Sequence, residues 1–138
     1  MHRLAVLLLC AWLAAACALP RPAAADRALG SALEGRWGGA HVDLQLSQSG
    51  GRIEYDCAEG TLDAAVVPAA DGSFRVPGRH VHGHGGPARI GERLPSRPAL
   101  YEGRVDGDRM QLRIRVDADT LGPYSVQRGA AAQLFKCL

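Results

Sequence analysis

Between Arg109 and Val116 the chain alternates without a break, setting Met110, Leu112, Ile114 and Val116 against Arg109, Gln111, Arg113 and Arg115. An apolar residue at every second position makes no helical stripe; it demands a strand with one dry and one wet face. Asp106-Gly107-Asp108 just upstream is a hairpin signal, and Ala99 to Val105 supplies the partner strand.

The same period recurs upstream. Val42, Leu44 and Leu46 oppose Asp43 and Gln45, and Gly50-Gly51 turns the chain into Arg52 to Cys57, with Ile53, Tyr55 and Cys57 on one face. Thr61 to Val67 follows a turn at Glu59-Gly60, and Asp71-Gly72 leads into Ser73 to Val76. Pro123 to Arg128 is a last clear strand, with Gln133 to Cys137 as a further short one, and only Asp26 to Glu34 suits a helical turn or two. Seven or eight short strands joined mostly by tight turns predict an all-β fold. An antiparallel meander of that size removes its edges best by closing into a small up-and-down barrel.

Met1-His2-Arg3 followed by the apolar run Leu4 to Ala16 has the layout of a secretory signal and is too short to span a membrane as a mature helix. Two exits fit. Ala23-Ala24-Ala25 before Asp26 is a small-residue cleavage site, leaving residues 26–138 as a single domain; Ala14-Ala15-Ala16-Cys17 resembles a bacterial lipobox, in which Cys17 would carry the lipid and Ala18 to Ala28 would be a tether. The expected location is the periplasm, the exterior or, if Cys17 is lipidated, the envelope membrane.

The full chain has 16 basic and 14 acidic residues, and loss of Arg3 and Arg21 with the signal leaves the mature side chains without net charge. A nucleic-acid role thereby loses its electrostatic support. Cys57 and Cys137 are the cysteines left after cleavage, and an even pair in an oxidising compartment predicts one disulfide closing a long loop. No CxxC motif or helix start marks Cys57 as a nucleophile.

Gly35-Arg36-Trp37 resembles the Gly-x-Trp opening of lipocalins, and the length and meander resemble the shorter avidin-type barrels. The resemblance implies that Trp37 plugs one end of the barrel. Leu33-Glu34-Gly35-Arg36-Trp37 also resembles the start of a bacterial metalloprotease-inhibitor family, from which the late Cys137 departs. Tyr55-Asp56-Cys57-Ala58, His84-Gly85-Gly86-Pro87 and Leu134-Phe135-Lys136-Cys137-Leu138 are similar to segments of exported bacterial proteins of unknown function. That third resemblance implies a fold and a compartment, and no activity.

The chemical lead is His80, His82 and His84, which alternate and would project from one strand face about 6.5 to 7 Å apart. Two imidazoles can converge on a metal across that gap, and His41 is the candidate to complete a zinc site, while copper accepts a flatter set. Parity from Phe74 and Val76 would turn the histidines inward, whereas a bulge at Pro77-Gly78 would reverse them. Gly83 to Pro98 is the one long connection expected, and such loops often carry function. Asp106-Gly107-Asp108 and Asp117-Ala118-Asp119 lack the twelfth-position carboxylate of a calcium loop, and no Gly-x-Ser-x-Gly elbow is present. Trp37, Tyr55, Phe74, Tyr101 and Tyr124 suffice to fill so small a barrel.

The sequence therefore reads as an exported, non-catalytic binding or interaction module without a cofactor, contacting a protein or small ligand through the histidines and the long loop. The alternatives are a histidine-based zinc or copper protein and a periplasmic protease inhibitor.

Overall fold

The computed structural model describes residues 30–87, 89–135 and 137. The signal segment, both lipobox and cleavage sites, Cys10, Cys17 and residues 26–29 of the expected helical turns lie outside the described residues. Eight strands follow in order: β1 (Gly35–Gly39), β2 (Val42–Ser47), β3 (Gly50–Tyr55), β4 (Ala58–Leu62), β5 (Ser73–His82), β6 (Ser96–Asp106), β7 (Arg109–Val116) and β8 (Asp119–Arg128). Each pairs antiparallel with the next, and β8 returns to β1 through Trp37↔Arg128, Gly38↔Gln127 and Gly39↔Val126, closing the barrel.

Alternation decides which side chains go inside. On β7 the four apolar residues are buried and the intervening polar ones exposed, and β2 repeats the pattern with Val42, Leu44 and Leu46. The interior is filled by side chains, with Trp37, Tyr101, Leu44, Ile53, Met110, Leu112 and Ile114 the largest of those wholly buried and Tyr55 and Phe74 nearly so. Outside, charges pair across strands: Arg36 with Asp43, and Glu102 with both Arg75 and Arg115. Each exposed pair contributes about 0–1 kcal/mol, so the interior carries the stability.

Several boundaries differ from expectation. Gly35–Gly39 is itself a strand, which three glycines in five residues conceal from a pattern search; it is the eighth strand. Among the described residues of the expected strand Gln133 to Cys137 there is an isolated bridge from Gln133 to Ala40 and no strand. The strand expected over Thr61 to Val67 starts earlier and ends at Leu62. Val66 instead folds from the following loop into the core, where its carbonyl accepts the Leu33 N–H. Residues 30–34 are neither helix nor strand.

β5 passes through Pro77-Gly78 without a bulge, pairing with β6 from Ser73↔Arg104 to Val81↔Ser96 in unbroken register. The last β4 partner is Leu62↔Gly78, and the Pro77 carbonyl accepts the Asp63 N–H beyond it. The missing Pro77 donor thus points past the end of β4, where no ladder bond is lost. The bulge lies elsewhere, on β8 at Gly122-Pro123 opposite Leu112 to Ile114. That extra residue shifts the parity of β8 and turns both Tyr124 and Leu121 toward the core.

Candidate functional site: a histidine-edged cup at the open end

One end of the barrel carries the β1–β2, β3–β4 and β7–β8 turns and the β5–β6 connection over residues 83–95, shorter than expected because β6 begins at Ser96. Among these lies a cup of about 540 Å³, walled by Tyr55, His80, His82, Leu94, Leu121 and Tyr124 and reached by Asp56, Arg97 and Asp119. The opposite end is closed. There Arg128 lies 4.3 Å over the Trp37 ring, donates to Asp108 and bonds the Glu34 carbonyl.

Parity along β5 carries inward through Phe74, Val76, Gly78 and His80. His80 is buried at 6% exposure, and its Nδ1 has no hydrogen-bond partner among the described residues. Burial, then the neighbouring His82 and Arg97, holds its pKa below the usual histidine value. Tyr55 lies beside it with ring centroids 5.6 Å apart. The Tyr101 hydroxyl donates to the Arg79 carbonyl at 2.7 Å, so the 2.8 Å bond between the two tyrosines takes its proton from Tyr55. Burial pushes the Tyr101 phenol up to about 12 and raises those of Tyr55 and Tyr124, so all three are neutral at physiological pH.

Three of the four candidate histidines, His80, His82 and His84, line the cup, and His41 does not. His82 stands exposed on the rim, its ring centroid 6.4 Å from that of His80. His84 falls beyond β5, because the Gly83 N–H bonds the Cys57 carbonyl and the strand ends at His82. Its ring bonds Gly85 and Glu92, and those bonds, the backbone one first, raise its pKa. His41 occupies the β1–β2 turn, bonded to Asp56 and packed against Phe135 at 5.3 Å. Among the described residues no three His, Cys, Asp or Glu side chains are disposed to hold a metal ion. His80 and His82 are two imidazoles, short of the four ligands of a structural zinc site.

The C-terminal segment crosses this end. Cys57 is bonded to Cys137, 80 residues on, and the Phe135 N–H donates to Asp56, which with His41 holds that carboxyl below its ordinary pKa. Trp37 is fully buried near the closed end. A larger depression of about 1030 Å³ lies outside the barrel along Val67 to Ala70, and its only charged groups, Arg75 and Glu102, are paired with each other. A third depression, of about 650 Å³, carries Arg104, Asp106 and Arg109 along Gly38 to Ala40 and Met110; of the three, the cup is the one lined by imidazoles.

Sequence reasoning placed Tyr124 inside the barrel, as found, but missed Arg97, Asp56 and the inward turn of Leu121. Arg97 was hidden beside Pro98 in what reads as loop, and no pattern announces the β8 bulge except Gly122-Pro123 itself. No protein-family model, curated protein or solved structure matches this chain.

Proposed function

We propose that this chain is a non-catalytic binding module of the bacterial envelope that takes a small ligand into the cup at the open end of its barrel. The observation that carries the reading is the cup itself, a concave site within the usual size of ligand pockets, walled by apolar rings and holding one buried imidazole with an unpartnered nitrogen. The signal-like N-terminus and the Cys57–Cys137 bridge support export.

A screen of small aromatic and aliphatic compounds by ¹⁵N-resolved NMR tests this. Shifts should cluster at Tyr55, His80, His82, Leu94 and Tyr124; binders that move only the outer depression near Val67 would overturn it. The metal reading keeps one specific support, the adjacency of His80 and His82. Stoichiometric uptake of Zn²⁺ or Cu²⁺ in equilibrium dialysis, lost in the His80→Ala/His82→Ala variant, would establish that reading instead.

A further inference from the structure

The cup collects basic groups on one wall. His80 and Arg97 are direct cross-strand partners of β5 and β6, so both side chains leave the same face, and His82 follows one pleat further toward the rim. The carboxylates around them are mostly engaged. Asp56 accepts the Phe135 N–H and contacts His41, and Glu92 accepts from His84 and the Arg89 N–H. Asp117 pairs with Arg97 at 3.2 Å, but both side chains are about 60% exposed, which makes this a contact that water and a competing anion readily replace. Asp119 remains, exposed on the rim. The other wall is apolar and flat, with Tyr55 and Tyr124 stacked at 6.0 Å and an interplanar angle of 20°, and Leu94 and Leu121 beside them.

We propose that the ligand is a small organic anion with a flat apolar body, of the aromatic carboxylate class, whose charge meets His80, His82 and Arg97 while its ring lies against Tyr55 and Tyr124. This rests on the reading of the cup as the ligand site. A carboxylate supplies an acceptor for the buried imidazole and relieves the mutual repulsion of three basic side chains. A neutral ligand does only the first, and a cation neither. His80 is held below its usual pKa in the free protein, with Tyr55, Tyr101 and Tyr124 neutral around it and Asp56 already engaged. An arriving anion restores its basicity, so binding takes up a proton and tightens as pH falls through the histidine range.

The test is calorimetric titration of the intact disulfide-bonded domain with 1-naphthoate, 1-naphthamide and acetate. It is run near pH 6 in two buffers of different ionisation enthalpy, with ¹⁵N spectra recorded alongside. Naphthoate should bind with net proton uptake and shift the cup resonances; naphthamide, which lacks the charge, should bind at least about tenfold more weakly, the worth of one charge-assisted hydrogen bond, and acetate, which lacks the ring, should also bind at least about tenfold more weakly. His80→Gln should reduce the proton uptake, with His82 and His84 still on the cup; Arg97→Gln, an exposed position outside the core, should weaken naphthoate alone even if the first variant folds poorly. Naphthamide binding in the cup as tightly as naphthoate, or naphthoate binding without proton uptake, would overturn the anion assignment and leave the site standing. Cup resonances unmoved by all three compounds would remove both.

Discussion

Arg128 shows how much one side chain can organise at the closed end: its guanidinium lies over Trp37, bonds Asp108 in the β6–β7 turn and reaches the Glu34 carbonyl ahead of β1. Beneath it Trp37 is wholly buried, with Nε1 unpartnered among the described residues, so its worth there is packing rather than hydrogen bonding. Trp37→Ala should cost about 3–5 kcal/mol, measured by urea denaturation, as large core truncations do. A loss under about 1 kcal/mol, the size of a surface change, would mean the barrel end holds without the indole. His80 makes a different expectation. Its folded pKa lies below the unfolded value near 6.5, so the unfolded chain binds more protons in that range and stability must fall as pH drops below about 6.5. His84, raised by Gly85 and Glu92, acts with the opposite sign, and the lowered carboxyls of Asp56 and Asp71 act only in the more acidic carboxylate range. Between about pH 7.5 and 5.5 the urea midpoint of the His80→Gln variant should therefore fall less, or rise more, than that of the parent. An equal slope in the variant would show that the imidazole is not protected by the fold.

At the scale of elements, β5 is the organising strand because it is long, continuous and inward-facing from Phe74 to His80. Its middle depends on a missing side chain. A Cβ on Gly78 would come within 1.9 Å of the Thr61 carbonyl oxygen and 2.7 Å of the Tyr101 ring, and neither neighbour is a free chain end. Gly78→Ala should then cost about 1–3 kcal/mol, the range of overpacked cores, and should disturb the Tyr101–Tyr55 hydroxyl pair. Thermal unfolding and the tyrosine hydroxyl resonances would report it; an alanine variant as stable as the parent would mean that β4 and β5 are further apart than the register requires. The strands with clean alternation, β2, β3, β6 and β7, were legible from sequence, because each residue's face follows from its parity alone. β1 was not, since glycine carries no polarity to alternate. The course of β5 through Pro77 was left open for a related reason: whether a proline breaks a ladder depends on where the neighbouring strand ends, and only the β4 terminus at Leu62 decides that.

For the whole molecule, closure and the covalent tie act together. The sheet closes by a short seam of three β1–β8 pairs, and the C-terminal segment lies beside it, with Gln133 bonded to Gly39 and His41. The Cys57–Cys137 bridge ties that segment to the β3–β4 turn across a separation of 80 residues. Reduction should remove about 4 kcal/mol by restoring loop entropy to the unfolded chain. Denaturant midpoints with and without reductant measure this. Equal midpoints would show that the tail contributes to the cup and not to global stability, and the cup resonances near Asp56 should then shift on reduction alone.

The amino-acid sequence by itself determined an all-β barrel, the cysteine pair and the inward parity of Phe74, Val76 and Tyr55, because alternation and turn chemistry are local and need no partner to be read. Which histidines share a site was decided by tertiary structure. The end of β5 at His82, beside the Gly83–Cys57 bond, leaves His84 on the lining of the cup but bonded to Glu92, and the β1–β2 turn hands His41 to Asp56 outside it. The cross-strand register likewise brings Arg97 beside His80, and the β8 bulge swings Tyr124 into the same cup. Each of these depends on where a neighbouring strand stops or slips by one residue, and that is settled by the closing of the barrel rather than by any local run of the chain.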